Sequence, residues 1–517
     1  MPAQVIRRPI PTGGWVNSSP ADSIEPSQSP NLLNVRFRFN EVRPCPGRAP
    51  FAPAVASPIQ SIARFSSDDR TKWIVMLTDQ YLYKWGDAGP GSPAQWIQAG
   101  GVALTGSGRW SWCVGEDYFF FARDGGNGIY RWHGGTASVE KVPNAPSDVT
   151  FVEYFNNRLM AGNLIESAKS WANRIRWPVN ANHTDWTGNG SGFLDLYEPE
   201  QEPIQGMKVL GNRLAVFREH SITDLVPTGT LTPVFQSEQR TTNVGSSFPF
   251  TIDSNGVVIF FLGNDGNVWA WNGTQLQPIG DPIYKTLEQV IDLKAGQFYF
   301  GRVYPYGNEY ILWLGGPNIY VFDTLQGRWL QDYFPTLQAL GDAEVSVSAD
   351  NWGVQTGSWG SYGAKMWREM QARSYSRLIV GKNDNTTVMM GRDLSGNEDN
   401  SDITCYIETK DFYMDDKFGP WLQRTVERAM LVYNYNNDTD PFEIALSVDR
   451  GRTWQTVLHT PNIVGYALAS WKVTGNVGRF RFATTSKKPV FRWMSMIEEF
   501  VPGGPYLGFD QPRSVSP

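Results

Sequence analysis

The groups best equipped for chemistry in this 517-residue chain are its carboxylates, its arginines and four histidines. The first question is whether spacing lets any of them act together. Glu498-Glu499 and Asp415-Asp416 are adjacent pairs. Adjacent side chains on a strand project to opposite faces, so neither pair can supply the acid and base of a hydrolase. His133, His183, His220 and His459 are far apart, without the spacing that gathers imidazoles on one metal, and each is expected in a loop or surface role. Asp124-Gly125-Gly126-Asn127-Gly128 is Gly-rich, but it joins two strand-like runs instead of opening a helix, so it reads as a turn and not as a phosphate cradle. The stretch from Asn434 to Asp440 holds carboxylates and amides without the ligand spacing of a calcium loop, and reads as a hairpin tip. No Ser or Cys lies in a recognisable nucleophile elbow. We therefore expect no catalytic residue, no cofactor and no metal.

The sharpest local motif is Ser447-Val448-Asp449-Arg450-Gly451-Arg452-Thr453-Trp454. Its spacing suits a hairpin turn in which Asp449 accepts backbone N–H groups, Gly451 takes a positive φ and Trp454 packs beneath. The motif resembles the Asp-box of sialidase-type propellers, where such boxes are structural. Ser447, Asp449, Gly451, Thr453 and Trp454 are accordingly read as turn architecture. A retaining sialidase would also need an arginine cluster, a Tyr nucleophile with a Glu, and an acidic general acid, and nothing in the sequence assembles these. Arginines recur at alternate positions in Arg36-Phe37-Arg38 and Arg479-Phe480-Arg481, with Arg492 nearby. Alternation places them on one strand face, either as the solvated face of a half-buried sheet or as a stripe for phosphates or an acidic partner.

The elements that must position these groups are strands. With 21 Trp, 21 Tyr, 28 Phe, 51 Gly and 34 Pro, the composition is that of an aromatic, turn-rich, all-β chain. Seven hairpin-like segments recur. They end at Trp85, Trp132, Trp177, Asp224, Trp271, Phe322 and Met390, in steps of 47, 45, 47, 47 and 51 residues and a last step of 68. A period of roughly 40–50 residues marks a β-propeller with one four-stranded blade per period. The wording repeats too: Pro58-Ile59-Gln60-Ser61-Ile62 echoes Pro203-Ile204-Gln205-Gly206-Met207, and Asn156-Asn157-Arg158-Leu159 echoes Gly211-Asn212-Arg213-Leu214.

We expect a β-propeller of about seven blades (six to eight) over residues 58–400. The third repeat should carry an insertion from Leu164 to Asn173. A long loop at 336–373 should project Trp352, Trp359, Tyr362 and Trp367 as a channel or docking surface. Asp393 to Asp402 reads as a linker, residues 401–502 as an antiparallel β-sandwich, and 503–517 as a tail. Residues 1–57, with their Pro/Ser-rich stretch at 18–30, read as an extended arm that either packs on its own domain or staples a neighbouring subunit. If it staples, deleting residues 1–30 should weaken assembly more than folding. Helix is scarce, with Ile283 to Ala295 the best candidate.

The net charge of −6 gives no whole-molecule attraction to nucleic acid. Cys45, Cys113 and Cys405 are odd in number and widely spaced, which excludes a disulfide framework or a CxxC zinc site and fits a reducing compartment. We expect neither a signal peptide nor a transmembrane helix.

The arm leading to Asn34-Val35 and then Arg43-Pro44-Cys45-Pro46-Gly47, the repeats without a catalytic constellation, and the late Ser-x-Asp-x-Gly-x-Thr-Trp string occur together. In that layout the chain resembles the tail nozzle proteins of short-tailed bacteriophages, also called phage stabilisation or tail tubular B-type proteins. The resemblance implies a non-enzymatic virion protein, assembled in the host cytoplasm and carried in the virion tail. It implies a ring of six copies below the portal and the tail adaptor ring, docking of tail fibres or spikes, transient passage of double-stranded DNA, and retention of packaged DNA. The alternatives are a propeller glycoside hydrolase and a glycan- or receptor-binding tail protein.

Overall fold

The computed structural model describes residues 4–38, 41–68, 71–87, 94–136, 138–292, 298–304, 307–347, 373–391, 402–413, 422–434, 441–460, 465–486 and 492–505. It is all-β, built from antiparallel sheets, and the described residues contain one short α-helix, Tyr284–Val290. That helix lies within the stretch expected to be helical but covers only part of it.

Seven sheets follow one another in the chain, five of them with all their strands in sequence order. The first comprises Ile59–Ser66, Lys72–Thr78, Leu82–Asp87 and Ala94–Gln98. The second comprises Ser111–Gly115, Tyr118–Ala122, Tyr130–Trp132 and Ser138–Lys141, with Gly100–Gly101 added at its edge. The third runs Asp148–Phe155, Arg158–Glu166, Lys169–Trp177 and Gly192–Asp195, and the fourth Gly206–Leu210, Arg213–Phe217, Ile222–Pro227 and Phe235–Thr241. The fifth is Asp253–Ser254, Ile259–Leu262, Val268–Trp271 and Leu276–Pro278, and the sixth Phe300–Tyr304, Glu309–Trp313, Asn318–Asp323 and Arg328–Tyr333. The seventh is assembled from both ends of the region: Leu337–Val347, Arg373–Lys382 and Thr387–Gly391 are completed by Gly47–Ala52. All seven periodic segment ends fall in the third strand of their sheet.

Local chemistry explains the hairpins. Glu116-Asp117 (φ 48° and 63°) and Asn156-Asn157 (φ 48° and 56°) close the first hairpins of the second and third sheets. Two consecutive positive φ values match the twist of two-residue hairpins. The insertion expected between Leu164 and Asn173 is not one. Arg158–Glu166 and Lys169–Trp177 pair through it and turn at Ser167-Ala168, both at positive φ, with a register shift between Gly162 and Leu164. The apolar alternation is broken by the bulge, and that break imitates an insertion.

Consecutive sheets share apolar layers. Phe65, Val75 and Leu77 of the first meet Phe119, Phe121 and Trp132 of the second. Further layers join second to third, third to fourth and fourth to fifth, and one large layer takes in the fifth, sixth and seventh. The seventh returns to the first: Ala339, Ala343 and Ile379 pack with Ile59, Ile62 and Met76. The approach is close enough to require glycine, because a Cβ on Gly341 would lie 2.2 Å from the Ile62 carbonyl oxygen.

The remaining strands form two six-stranded sheets. One contains Gln4–Arg8, Val35–Arg38, Glu41–Pro44, Leu422–Asn434, Tyr466–Gly475 and Arg492–Pro505. The other contains Leu32–Leu33, Ile403–Glu408, Phe412–Tyr413, Phe442–Ser447, Gln455–His459 and Val477–Ser486. Leu431, Tyr433 and Ala469 of the first share a core with Ile407, Ile444 and Phe482 of the second. Residues of the N-terminal 57 thus enter three sheets of their own chain. Between those strands Trp15 donates its backbone N–H to the Trp329 carbonyl, and Asn17 donates to that of Pro282.

Candidate functional site

The first strands of the seven sheets carry a cluster of titratable groups drawn from several sheets. These strands lie side by side: 111–115 by 148–155, then 206–210, 253–254, 300–304 and 337–347, with 337–347 beside 59–66. Arg64, Trp112, Glu153, Lys208, Asp253, Arg302 and Asp342 lie one on each of these strands. Period-two alternation turns the residues on either side into the layers between sheets and leaves these side chains to face one another.

They meet as alternating charges. Lys208 Nζ lies 3.0 Å from Asp253 and 3.9 Å from Glu153. Arg302 is 3.5 Å from the other Asp253 oxygen, and its guanidinium lies over the Trp112 ring at 4.6 Å. Asp253 also accepts the Val303 N–H at 2.9 Å. Arg64 and Asp342, from the first and seventh sheets, approach to 3.8 Å. Burial pushes Asp253 up, but Lys208, Arg302 and the Val303 amide outweigh it and hold the carboxyl below its ordinary range. At Glu153 burial wins and raises the pKa. Burial disfavours the Lys208 ammonium, but the two carboxylates overcome it and raise its pKa. The Lys208 side chain keeps 26% of its surface accessible, so water reaches this cluster.

Arg109, just before the first strand of the second sheet, ties four segments together. Its guanidinium donates to the carbonyls of Phe298 at 2.9 Å, Gln60 at 2.8 Å and Gln338 at 2.7 Å, and it lies over the Phe300 ring at 4.4 Å. Burial, with Arg302 nearby, pulls its pKa down to about 9, so it remains cationic at neutral pH. The cluster holds strand to strand: Arg64, Lys208 and Arg302 meet Asp342, Glu153 and Asp253, while Arg109 is held by backbone carbonyls and an aromatic ring.

The expected turn behaves as its residue types require. It joins Phe442–Ser447 to Gln455–His459. Asp449 Oδ1 accepts the N–H groups of Arg452 at 3.1 Å and Thr453 at 2.9 Å, and Asp449 Oδ2 accepts the Thr453 hydroxyl at 2.5 Å. Ser447 Oγ donates to Asp449 at 2.7 Å and accepts the Gly451 N–H at 2.8 Å. Arg450 and Gly451 both have positive φ, 63° and 85°. Partial burial opposes the Asp449 charge, but the hydrogen bonds prevail and pull its pKa down to about 2. Trp454 is only half-buried, under the Arg481 guanidinium at 4.5 Å.

The structure does not bring this turn and the inner cluster onto one sheet. Trp352, Trp359, Tyr362 and Trp367 lie outside the described residues, as do Asp415, Asp416, residues 435–440, most of the linker and most of the C-terminal tail. Glu498 is buried and takes Arg8 at 3.0 Å. Of the alternating arginines, Arg36, Arg479 and Arg481 are drawn into ion pairs with carboxylates of other segments, while the side chains of Arg38 and Arg492 lie outside the described residues. Arg36 binds Asp332 at 2.6 Å and Glu309 at 2.8 Å, Arg479 binds Asp411 at 2.7 Å, and Arg481 binds Glu408 at 2.6 Å. Three histidines sit against carboxylates: His133 on Asp117, His183 on Glu116 and His220 on Glu202. His183 Nε2 also faces Arg131 Nη1 at 2.8 Å. Arginine can only donate, so this contact makes Nε2 the acceptor and leaves Nδ1 to donate to Glu116.

Sequence reasoning missed the inner cluster. Its signal was a charge in the first arm of six of the seven repeats, alone there in four, as in Met207-Lys208-Val209 and Ile252-Asp253-Ser254. Among the described residues no group of three or more His, Cys, Asp and Glu is placed to hold a metal ion. On the last two strands of the third sheet, Arg174 is held by Asp195 at 2.6 Å and lies between the Trp171 and Phe193 rings, at 3.5 and 4.0 Å. Phe193 and Tyr197 there are 53% and 54% exposed. Comparison of the sequence with protein-family models and with curated proteins returns no match.

Proposed function

We propose that this chain is a structural virion protein of the tail-nozzle type: a seven-bladed propeller whose last blade is completed by the N-terminal strand Gly47–Ala52, joined to a β-sandwich that both chain ends build. The seven consecutive four-stranded sheets, and the apolar layer that joins the seventh to the first, support the propeller. The observation that carries the functional reading is the inner cluster. Its arginines and carboxylates sit on or next to first strands, from which a propeller enzyme would present such groups to substrate, yet they are drawn into contacts with one another, with backbone carbonyls or with aromatic rings. Such a unit is a stiff wedge. Six wedges joined head to tail close a ring, which would extend the DNA channel below the portal and adaptor, help retain packaged DNA and dock fibres or spikes. The negative net charge fits a lumen through which DNA slides without strong phosphate binding.

Light scattering and negative-stain imaging of the purified chain, alone and with tailless DNA-filled capsids, test this reading. Rings of about six copies, or plugs that stop DNA leaking from the capsids, are the expected result. A stable monomer that neither binds capsids nor retains DNA refutes it.

A glycan-binding tail protein is the second reading, favoured by the exposed Phe193 and Tyr197 beside the Arg174–Asp195 pair. Exposed aromatic faces with an adjacent polar fork suit a sugar's apolar face and hydroxyls. Binding to host polysaccharide that is lost in Phe193→Ala would favour it.

A further inference from the structure

Cys45 and Cys405 are 360 positions apart in the chain, but the fold sets them on either side of one residue. Leu32 and Leu33 pair with Ile407 and Tyr406, and continuing that register by one places Asn34 opposite Cys405. Val35 pairs with Pro44, and the same step places Asn34 opposite Cys45, whose N–H donates to the Asn34 carbonyl at 2.7 Å. Asn34 is where the chain leaves one six-stranded sheet for the other, at a φ of 54°. That left-handed residue, fixed by its amide donating to the Thr404 carbonyl at 2.8 Å, turns the chain from one sheet to the other with Cys405 on one side of it and Cys45 on the other. Cys45 is the largest cause that pushes the Cys405 thiol pKa up, so the two side chains lie within reach of each other. Both are buried, at 2% and 6% exposure, in the same apolar layer. The third cysteine, Cys113, belongs to the separate layer between the second and third sheets.

We propose that Cys45 and Cys405 are a disulfide-forming pair, present as dithiol when the chain folds in reducing surroundings and closed by a small-molecule disulfide once those surroundings turn oxidising. The step balances with oxidised glutathione as co-reactant. The thiolate of one cysteine attacks a glutathione sulfur, the sulfur–sulfur bond of the reagent breaks, and one glutathione leaves as a thiol. The second cysteine then displaces the second glutathione from the mixed disulfide. Two protein thiols are oxidised by two electrons, the reagent is reduced to two thiols, and those thiols take up both protons. Burial sets the pace, because a thiol enclosed by apolar side chains is attacked only when the layer opens. The product clamps the N-terminal segment to the strand Ile403–Glu408, at the seam where the two six-stranded sheets meet.

The full-length chain, purified with reductant and then freed of it, is incubated with oxidised glutathione in mildly alkaline buffer. Free thiols are alkylated and the chain is mapped by mass spectrometry. The expected product is lighter than the dithiol by about 2 Da. It contains a Cys45–Cys405 linked peptide and an alkylated Cys113, and it reverts with reductant. Cys113→Ser should give the same linkage. Three alkylated cysteines after prolonged oxidation, glutathione adducts without a link, or a link through Cys113 would each overturn the proposal. The wild-type map decides the matter even if Cys45→Ser fails to fold.

Discussion

Trp15 lies parallel to Tyr320, with ring centroids 6.1 Å apart and 9° between the planes. The first belongs to the N-terminal segment and the second to the third strand of the sixth sheet. Around this stack Trp15 Nε1 donates to the Pro30 carbonyl, and its backbone N–H donates to that of Trp329. The segment is therefore part of the fold that the rest of the chain completes, and removing it should cost folding before it costs assembly. Trp15→Ala should destabilise the chain by about 3–5 kcal/mol, read as a fall in the denaturant midpoint. Deletion of residues 1–30 should cost more, because Ile10, Val16 and Ile24 are buried as well. A deletion variant that unfolds at the wild-type midpoint and only fails to assemble would restore the stapling arm.

The inner cluster makes a second prediction. Asp253 is approached by Lys208 at 3.0 Å and Arg302 at 3.5 Å. Removing its carboxylate leaves two cations facing each other in a confined space. Breaking a buried pair typically costs about 3–5 kcal/mol, but water reaches Lys208, so Asp253→Ala should cost about 2 kcal/mol. Lys208→Met alone should cost less than Asp253→Ala, since Arg302 still serves Asp253. A double-mutant cycle on the pair should show coupling; additive effects would mean that the Lys208–Asp253 contact contributes nothing measurable.

These two regions differ in how far they could be read beforehand. The third strands announced themselves because an aromatic residue closes most of them and the first six recur at a near-constant period, and pattern periodicity reports on residues that face a core. The strands of the late sheets were visible for the same reason, in runs such as Phe442–Ser447 and Val477–Ser486. Partnership was not visible. Gly47–Ala52 pairs with Thr387–Gly391, and Gln4–Arg8 with Arg492–Pro505, and no local pattern encodes which distant edge a strand will complete. Arg36 and Arg481 showed their alternation but not their carboxylate partners, which come from other strands. The Asp449 turn was fully legible, since all its hydrogen bonds close within eight residues.

That turn gives the third prediction. Asp449 accepts three hydrogen bonds from Arg452 and Thr453 together with the Ser447 hydroxyl. Asp449→Ala should destabilise the chain by about 1–2 kcal/mol, and Asp449→Asn by less, because the amide oxygen keeps part of the acceptor set. The folded pKa of about 2 lies below the ordinary 3.8. The carboxylate therefore contributes stability above about pH 4, and the contribution fades as pH falls from there toward 2. The gap in midpoint between wild type and Asp449→Asn should narrow across that window. A gap that stays constant would show that the charge is not what the turn uses.

His220 supplies the opposite sign. Its Nδ1 is 2.6 Å from Glu202, and the Glu202 carboxylate also takes the His220 N–H at 3.2 Å. The hydrogen bond to Glu202 raises the imidazole pKa above its ordinary 6.5, with Glu219 and Glu200 adding to it and slight burial opposing. A raised folded pKa means that the protonated pair stabilises the fold fully below about pH 6.5 and that the contribution is lost as pH rises through the folded value. With 52% of the side chain exposed, the effect on stability should be small and should weaken with salt. The direct measurement is the His220 ring resonance followed by NMR against pH, with His220→Asn used for assignment. Its midpoint should lie above 6.5 in the wild type and fall toward 6.5 in Glu202→Gln. A midpoint unmoved by that substitution would remove Glu202 as the cause and leave only the weaker field of Glu219 and Glu200.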